Sequence, residues 1–212
     1  ISINWTVYMW AIMHNQVLST SLGYYLNPLV NVLLGRLVLK EQLNRWQAAA
    51  VVVAATGVGI LLFEEPGAIW ISITLALSFG TYGLVRKMTP VPAVAGLAVE
   101  VTLLAPIAAG ALLLGLASSA GFGSSSHISL LLMGSGLMTA IPLLLFATAA
   151  RRMSYTALGF VQYVAPTIVF CLSVFVWKEP LYPAKLLCFA CIWAAIAIFS
   201  ADAIRRMRGA DA

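Results

Sequence analysis

Glu100 is the only acidic residue that falls well inside a long apolar stretch of this sequence. If that stretch crosses a bilayer, the carboxylate is expensive to bury, and such residues usually face a cavity or bind a partner. Glu100 could therefore carry a proton or contact a substrate. The alternative is a structural carboxyl group that is hydrogen-bonded to neighbouring helices.

A second set of polar residues surrounds two prolines. Asn27 precedes Pro28, and Asn31 follows it by one helical turn; the pair Gln162-Tyr163 lies just before Pro166. A proline frees a backbone carbonyl in a helix, and nearby polar groups help to satisfy it. Helix breaks at matching positions in two halves of a transporter indicate a binding site. Hydrogen bonds between helices are the alternative explanation.

Asn4, Trp5 and Tyr82 form a third set, and they fall within apolar stretches near the start and the middle of the chain. An amide in such a position could line a cavity, and Trp5 could stack on a flat substrate. Ordinary packing explains the same residues equally well. Arg86 and Lys87 follow Tyr82 and are more typical of orientation signals than of ligands.

The sequence contains no set of residues that indicates catalysis, metal binding or nucleotide binding. His14 and His127 fall in predicted loops, and Cys171, Cys188 and Cys191 fall in apolar stretches as reduced packing residues. The sequence contains no Walker loop, HExxH or GxSxG motif. We therefore expect no catalytic residues, no metal, no cofactor and no bound nucleic acid.

The composition is that of a membrane protein. Of the 212 residues, 62% are hydrophobic and 9% are charged, whereas soluble domains carry about 25% charged residues. A soluble chain could not hide so much apolar surface from water. Spans of roughly 20 apolar residues are instead what a bilayer requires. The sequence predicts eight of them, at Ile1–Met13, Thr20–Leu39, Trp46–Phe63, Ala68–Val85, Ala93–Ala117, Ile128–Ala150, Thr156–Trp177 and Pro183–Ala203.

Basic residues alternate between the connections of these spans. Ten of the 12 Lys and Arg side chains fall in the regions 36–45, 86–87, 151–152 and 205–208; Lys178 and Lys185 are the other two. Basic loops stay in the cytoplasm. The pattern therefore predicts a cytoplasmic C-terminus.

The chain also contains an internal repeat. The stretches 22–41 and 158–179 both read Leu-Gly-aromatic, then proline, then an apolar run that ends in Lys-Glu, with the same spacing from proline to glutamate. They form the second and seventh predicted spans, so an odd number of crossings separates them and the copies run in opposite directions. An inverted repeat of this kind is common in secondary transporters, whose substrates bind near the midplane between the repeats.

These stretches resemble the EamA repeat of the drug/metabolite transporter superfamily, and most closely its RarD-type branch. The resemblance covers essentially the whole chain. It is carried by Asn4-Trp5 with Trp10-Ala11, SLGYYLNPLVNVLLG at 21–35, SFGTYGLVRK at 78–87, Gly96 with Glu100, Pro106, TAIPLLLFATAARR at 139–152 and LGFVQYVAPT at 158–167.

The resemblance implies a ten-helix, 5+5 inverted-repeat carrier in the bacterial inner membrane that moves a small metabolite or drug without ATP hydrolysis in the chain. We expect residues 1–63 to be the last three helices of an N-terminally incomplete first repeat, 64–205 the second repeat, and 206–212 a cytoplasmic tail. Its expected partners are the lipid bilayer, a small substrate, a proton and a second copy of the chain. A membrane-embedded enzyme, or a channel or helper protein, is the alternative.

Overall fold

The structure is a computed structural model that describes residues 1–64, 67, 69–114, 125–176, 178 and 182–210. Within these ranges the chain is helical and has no strand, as predicted. The predicted span ends at Ala68, Ala117 and Trp177, and Glu179 of the repeat, lie outside them. The helices are α1 (Ser2–Met13), α2 (Val17–Leu37), α3 (Arg45–Glu64), α4 (Ile69–Met88), α5 (Ala93–Leu113), α6 (Ser126–Arg152), α7 (Tyr155–Gln162), α8 (Val164–Phe175) and α9 (Pro183–Ala210).

Six helical stretches of the described chain are long and apolar enough to cross a membrane. They are Arg45–Glu64, Ile69–Met88, Ala93–Gly110, Ser126–Arg152, Tyr155–Leu172 and Pro183–Arg206. The other two predicted spans form α1, which has only 12 residues, and α2, which has 21 residues and several polar side chains. The described helices are therefore consistent with a multi-pass membrane protein, while the count of eight spans stays a prediction.

The seventh predicted span is not one helix but two. Tyr163 separates α7 from α8, and its backbone N–H donates to the Phe160 carbonyl, three residues back, at 3.2 Å. Pro166 is the physical reason, because it has no N–H for the Gln162 carbonyl and its ring crowds that carbonyl. Helix α2 in contrast runs unbroken through Pro28.

The described chain divides into two compact units. Unit 1 comprises Ile1–Leu84 and Met153–Ala212, and unit 2 comprises Val85–Arg152, so that α4 begins in the first and ends in the second. In unit 2, Lys87 donates to the Ala150 carbonyl at 2.9 Å, and Arg151 donates to the Val91 carbonyl. The first bond joins the C-terminal ends of α4 and α6, and the second joins the end of α6 to the connection between α4 and α5. Most large apolar side chains of α5 and α6 are exposed, as lipid-facing helices require.

Two antiparallel helix pairs build the core of unit 1. Helix α2 packs on α7, with Pro28 beside Gly159 and Gly35 beside Tyr155. Helix α3 packs on α9, and Asn44 before α3 donates to Asp202 near the end of α9 at 2.6 Å. The two pairs share one apolar core, whose aromatic members include Tyr25, Phe160, Phe170 and Phe189.

Local sequence explains where these helices begin. The Asn44 side chain accepts a hydrogen bond from the Gln47 N–H at 2.7 Å, and the Gln47 side chain accepts one from the Asn44 N–H at 3.2 Å. This reciprocal cap satisfies N–H groups that have no partner inside α3. Ser154 caps α7 by accepting from the Ala157 N–H at 3.2 Å. Both caps fix helix ends that carry further polar contacts.

Candidate functional site

Asn31 and Gln162 meet at the interface of α2 and α7. The Asn31 side-chain amide Nδ2 donates to Gln162 Oε1 at 2.9 Å, although 131 positions separate the two residues in the chain. Asn31 is fully buried. The structure therefore brings together two residues that sequence analysis selected from different copies of the repeat.

A glycine makes this approach possible. A Cβ atom on Gly159 would lie only 2.7 Å from the Pro28 carbonyl oxygen and 3.3 Å from Asn31 Cβ. Any larger residue at position 159 would push α7 away from α2. Gly159, from the Leu-Gly pair of the second copy, thus allows α7 to pack directly against Pro28 of the first copy.

Four buried polar atoms in this region have no hydrogen-bond partner among the residues that the structure describes. They belong to the four predicted residues around the two prolines, which we call the polar cluster: Asn27 Oδ1, Asn31 Oδ1, Gln162 Nε2 and Tyr163 Oη. Buried polar groups are nearly always hydrogen-bonded, so each exception needs an explanation. Exchanging oxygen and nitrogen in both paired amides would still leave one donor and one acceptor open. The polar cluster therefore presents both donor and acceptor atoms that no described residue uses.

The two prolines add backbone acceptors beside the same residues. Pro166 cannot donate to the Gln162 carbonyl, and Pro28 cannot donate to the Tyr24 carbonyl, because proline has no N–H. Tyr163, at the break between α7 and α8, is 1% exposed. The two prolines thus lie beside members of the polar cluster, one at a helix break and one in an unbroken helix, and the link between proline and polar side chains stays a prediction.

Asn4 has a different environment. Its side chain donates to the Leu75 carbonyl and to Ser78 Oγ, both at 3.0 Å, and so joins α1 to α4. This is the packing role that the sequence left open. Trp5 beside it is 43% exposed and lies edge-on to Tyr8, with 6.1 Å between ring centroids.

Tyr82 is buried on α4, 7% exposed, with its ring centroid 6.2 Å from that of Phe79. Nearby, the hydroxyl of Tyr155 donates to the Gly80 carbonyl at 2.5 Å and joins α7 to α4. Sequence analysis missed Tyr155, because nothing in its local pattern distinguishes it from a packing aromatic.

Glu100 has a partner within unit 2. Its carboxylate lies 3.7 Å from Arg86 Nη1, and the side chains are 27% and 7% exposed respectively. Arg86 also donates to the Ala93 carbonyl at 2.7 Å. We interpreted Arg86 as an orientation signal, but it is also a buried cation that pairs with Glu100, the acid that lies well inside a predicted span. The pair supplies the partner that an ionised carboxylate needs in lipid.

Two further acids have roles that sequence analysis did not predict. Glu41 accepts hydrogen bonds from the first turn of α7. Asp202 is buried and accepts from Asn44 and from Arg206, the latter at 3.2 Å. Both lie in polar segments near helix ends, where charge alone indicates a solvated residue. The Lys40-Glu41 sequence of the repeat was the one available signal for the first.

Known proteins resemble this chain along nearly its whole length, although no family model matches it. The uncharacterized transporter YojE of Bacillus subtilis is 47% identical over 209 residues, which are 98% of this chain and 70% of that protein. Protein RarD of Escherichia coli is 41% identical over 212 residues, 97% of this chain and 70% of that protein. The chloramphenicol-sensitive protein RarD of Pseudomonas aeruginosa is 31% identical over 206 residues, 97% and 69% respectively.

These relatives are named as transporters or as RarD, and such names indicate a transporter rather than an enzyme. Their likeness spans every helix described above. Together with six apolar helices long enough to cross a bilayer, it supports a multi-pass membrane protein. The chain belongs to the RarD-type family of membrane transporters.

Proposed function

We propose that this protein is a secondary carrier that moves a small polar metabolite or drug across the bacterial inner membrane by alternating access. The observation that carries the proposal is the polar cluster, with its four unpartnered buried atoms between α2 and the α7–α8 break. A structural role alone would favour satisfied groups or apolar replacements. A binding site explains the combination, because atoms that bind a substrate are buried in the protein and have no hydrogen-bond partner until the substrate is present.

The substrate that fits the polar cluster carries both donors and acceptors. Asn27, Asn31, Gln162 and Tyr163 supply amides and a hydroxyl, and none of these four side chains is a carboxylate or a cation. The exposed ring of Trp5 is a candidate wall for a flat part of the substrate. Asn4 joins α1, which carries Trp5, to α4, and Tyr82 on α4 is a further proposed substrate contact.

Two observations favour an EamA-like inverted repeat. Lys40 and Lys178, which occupy equivalent positions in the two copies, both have a left-handed backbone, with φ of 55° and 53°. This conformation is uncommon for residues other than glycine. The helices that hold the copies, α2 and α7, also pack antiparallel, as inverted copies related by an in-plane axis would.

On this basis we propose a 5+5 fold of ten helices, in which residues 1–63 belong to the first repeat and 64–205 to the second. Thr20–Phe63 would superpose on Thr156–Ala203 after rotation about an axis in the membrane plane. Substrates of such carriers bind near the midplane between the repeats, and the pair Asn31–Gln162 joins one residue from each.

We further propose that the tail at 206–212 and the other basic regions face the cytoplasm. The exposed Arg205 lies over the Trp46 ring, 5.6 Å from its centroid, and tryptophan is enriched at membrane interfaces. Coupling to a proton through Glu100, and a homodimer, are parts of the proposal that only solution experiments can test.

Counterflow in proteoliposomes tests the carrier mechanism. Vesicles loaded with unlabelled chloramphenicol, the drug in one relative's name, are diluted into labelled chloramphenicol, and then labelled polar metabolites are tried with their unlabelled forms. A carrier gives a transient, saturable overshoot of label, and protein-free vesicles give none. Linear, non-saturating flux would indicate a channel, and a chemically altered product would indicate an enzyme.

A further inference from the structure

The carboxylate of Glu41 binds the beginning of α7. Glu41 Oε1 accepts from the Tyr155 N–H at 2.6 Å, and Oε2 accepts from the Thr156 N–H at 3.0 Å and from Thr156 Oγ1 at 2.8 Å. The first N–H groups of a helix have no acceptor inside it, and a negative charge is favourable there. Both carboxylate oxygens of a residue that follows α2 are therefore used to hold a helix more than 100 positions away.

The backbone turn that follows α2 places this carboxylate at the beginning of α7. Lys40 adopts its left-handed conformation immediately before Glu41, and the Glu41 N–H donates to the Gly35 carbonyl at 3.0 Å. The chain thus reverses direction after α2, and the Glu41 N–H bonds to a carbonyl six residues earlier in the sequence. A lysine seldom adopts a positive φ, so surrounding contacts must hold this turn.

Gly35 provides the space for the carboxylate. A Cβ at position 35 would lie 3.0 Å from Glu41 Oε2 and 3.3 Å from Tyr155 Cβ. Position 35 therefore contacts both the acid and the helix that it binds. The turn, the glycine and the hydroxyl of Thr156 are three independent features that fit one carboxylate.

This contact joins the same two helices that carry the polar cluster. Asn31 lies one turn before Gly35 on α2, and Gln162 lies two turns after Tyr155 on α7. Helices α2 and α7 cannot separate at this end of the cluster while Glu41 binds both N–H groups.

We propose that Glu41 is a clamp that closes one end of the substrate site and releases α7 during transport. The proposal rests on the carrier function above, which requires α2 and α7 to part on one side of the site. In the proposed orientation this end is cytoplasmic, so clamp release opens the site inward. The same left-handed backbone conformation recurs at Lys178, where the second copy of the repeat ends its apolar run. Glu41 acts here as a positioning residue and does not touch the substrate.

Distance measurement between two spin labels tests the clamp without any substrate. The labels replace the exposed residues Leu37 and Met153, which lie two positions beyond Gly35 and two before Tyr155. The protein is reconstituted in lipid after the three cysteines of this sequence are changed to alanine. Double electron–electron resonance then gives the ratio of separated to closed helix ends.

Glu41→Gln should raise this ratio about tenfold, which corresponds to about 1.4 kcal/mol, because an amide cannot offer two negatively charged acceptors. Thr156→Val, which removes one of the three bonds, should give a smaller rise, and Thr156→Ser should restore the ratio of the unsubstituted protein. Glu64→Gln changes an exposed carboxylate at the far end of α3 and should leave the ratio unchanged.

An unchanged ratio in Glu41→Gln, or equal ratios in Thr156→Val and Thr156→Ser, would overturn the clamp. If Glu41→Gln does not fold, the two Thr156 variants decide alone. A purely structural contact would lower the melting temperature without producing the longer distance. Counterflow on the same samples separates the two proposals. Counterflow in the unsubstituted protein, together with an unchanged ratio of separated to closed helix ends in Glu41→Gln, refutes the clamp only. Absence of counterflow in the unsubstituted protein refutes the carrier.

Discussion

The amide of Asn31 on α2 donates to the amide oxygen of Gln162 on α7 at 2.9 Å, and each amide keeps one buried atom without a partner in the described chain. Hydrogen bonds between membrane helices contribute on average about 0.6 kcal/mol. So small a contribution could be replaced by apolar packing. We propose instead that the remaining donor and acceptor bind substrate.

Asn27→Leu should therefore weaken transport more than it weakens the fold. It removes a buried acceptor that has no partner in the described structure, so the folded protein loses little. The substrate concentration for half-maximal counterflow should rise about tenfold or more. Without the Asn27 acceptor, the substrate group that donates to it is left unpaired in the site. Thr56→Val is the control, because among the described residues that exposed hydroxyl bonds only to the Val52 carbonyl of its own helix. Equal half-maximal concentrations in the two variants would remove Asn27 from the site.

Gly159→Ala should disrupt the α2–α7 interface. Its methyl group would meet the Pro28 carbonyl oxygen at 2.7 Å, and overpacking of this kind costs about 1–3 kcal/mol. We expect a lower melting temperature in detergent and loss of counterflow. Gly59→Ala adds the same methyl group where nothing lies within 4 Å in the described structure, and it should behave like the unsubstituted protein. A stable, active Gly159→Ala protein would show that the helices do not approach so closely.

Glu100→Gln tests the proton-coupling hypothesis. The amide keeps the shape of the side chain and can still accept from Arg86, but it cannot bind and release a proton. We expect the variant to fold, to lose accumulation driven by a pH gradient and to retain exchange. Normal pH-driven uptake in a well-expressed variant would end the hypothesis. Low expression without a selective loss of coupling would instead assign Glu100 to the structural pair with Arg86.

Cysteine accessibility tests the proposed orientation. Single cysteines at the exposed positions Gln42, Pro90 and Arg208 should be protected from a membrane-impermeant maleimide added outside intact cells. A cysteine at the exposed Gly67 should react readily, because the connection between the third and fourth predicted spans carries no basic residue. The opposite pattern would invert the topology and place the Glu41 clamp on the outer side.

Local sequence was sufficient for the helices and for half of the candidate site. Apolar length located both ends of α3, α4 and α6, and the beginnings of α5 and α9, to within a few residues, because a bilayer imposes that length on any span. Helix α9 continues seven residues beyond its predicted end at Ala203. The prolines indicated Asn27, Asn31, Gln162 and Tyr163, since a missing N–H has consequences for its immediate neighbours. The division at Tyr163 was missed, because Pro28, Pro106 and Pro142 lie in helices that continue through them.

The remaining contacts depend on partners that are distant in the chain. Glu41 binds residues 114 and 115 positions away, and Asn44 binds Asp202 across 158 positions. No local pattern encodes such pairings. Arg86 and Glu100 are closer in sequence, but the intervening turn decides whether they meet. Asn4 was identified as polar within an apolar stretch, yet only the position of α4 shows that its amide is already bonded.

Substrate-induced thermal stabilisation tests the central claim that the polar cluster is the binding site. A ligand that binds only the folded protein stabilises it by about 2.7 kcal/mol at a hundred times its Kd. With the substrate identified by counterflow, the melting temperature of the unsubstituted protein and of Glu64→Gln should rise with substrate concentration. In Gln162→Leu and Asn31→Leu that rise should disappear over the same range. Full stabilisation of both leucine variants would contradict the claim and place the substrate elsewhere in the protein.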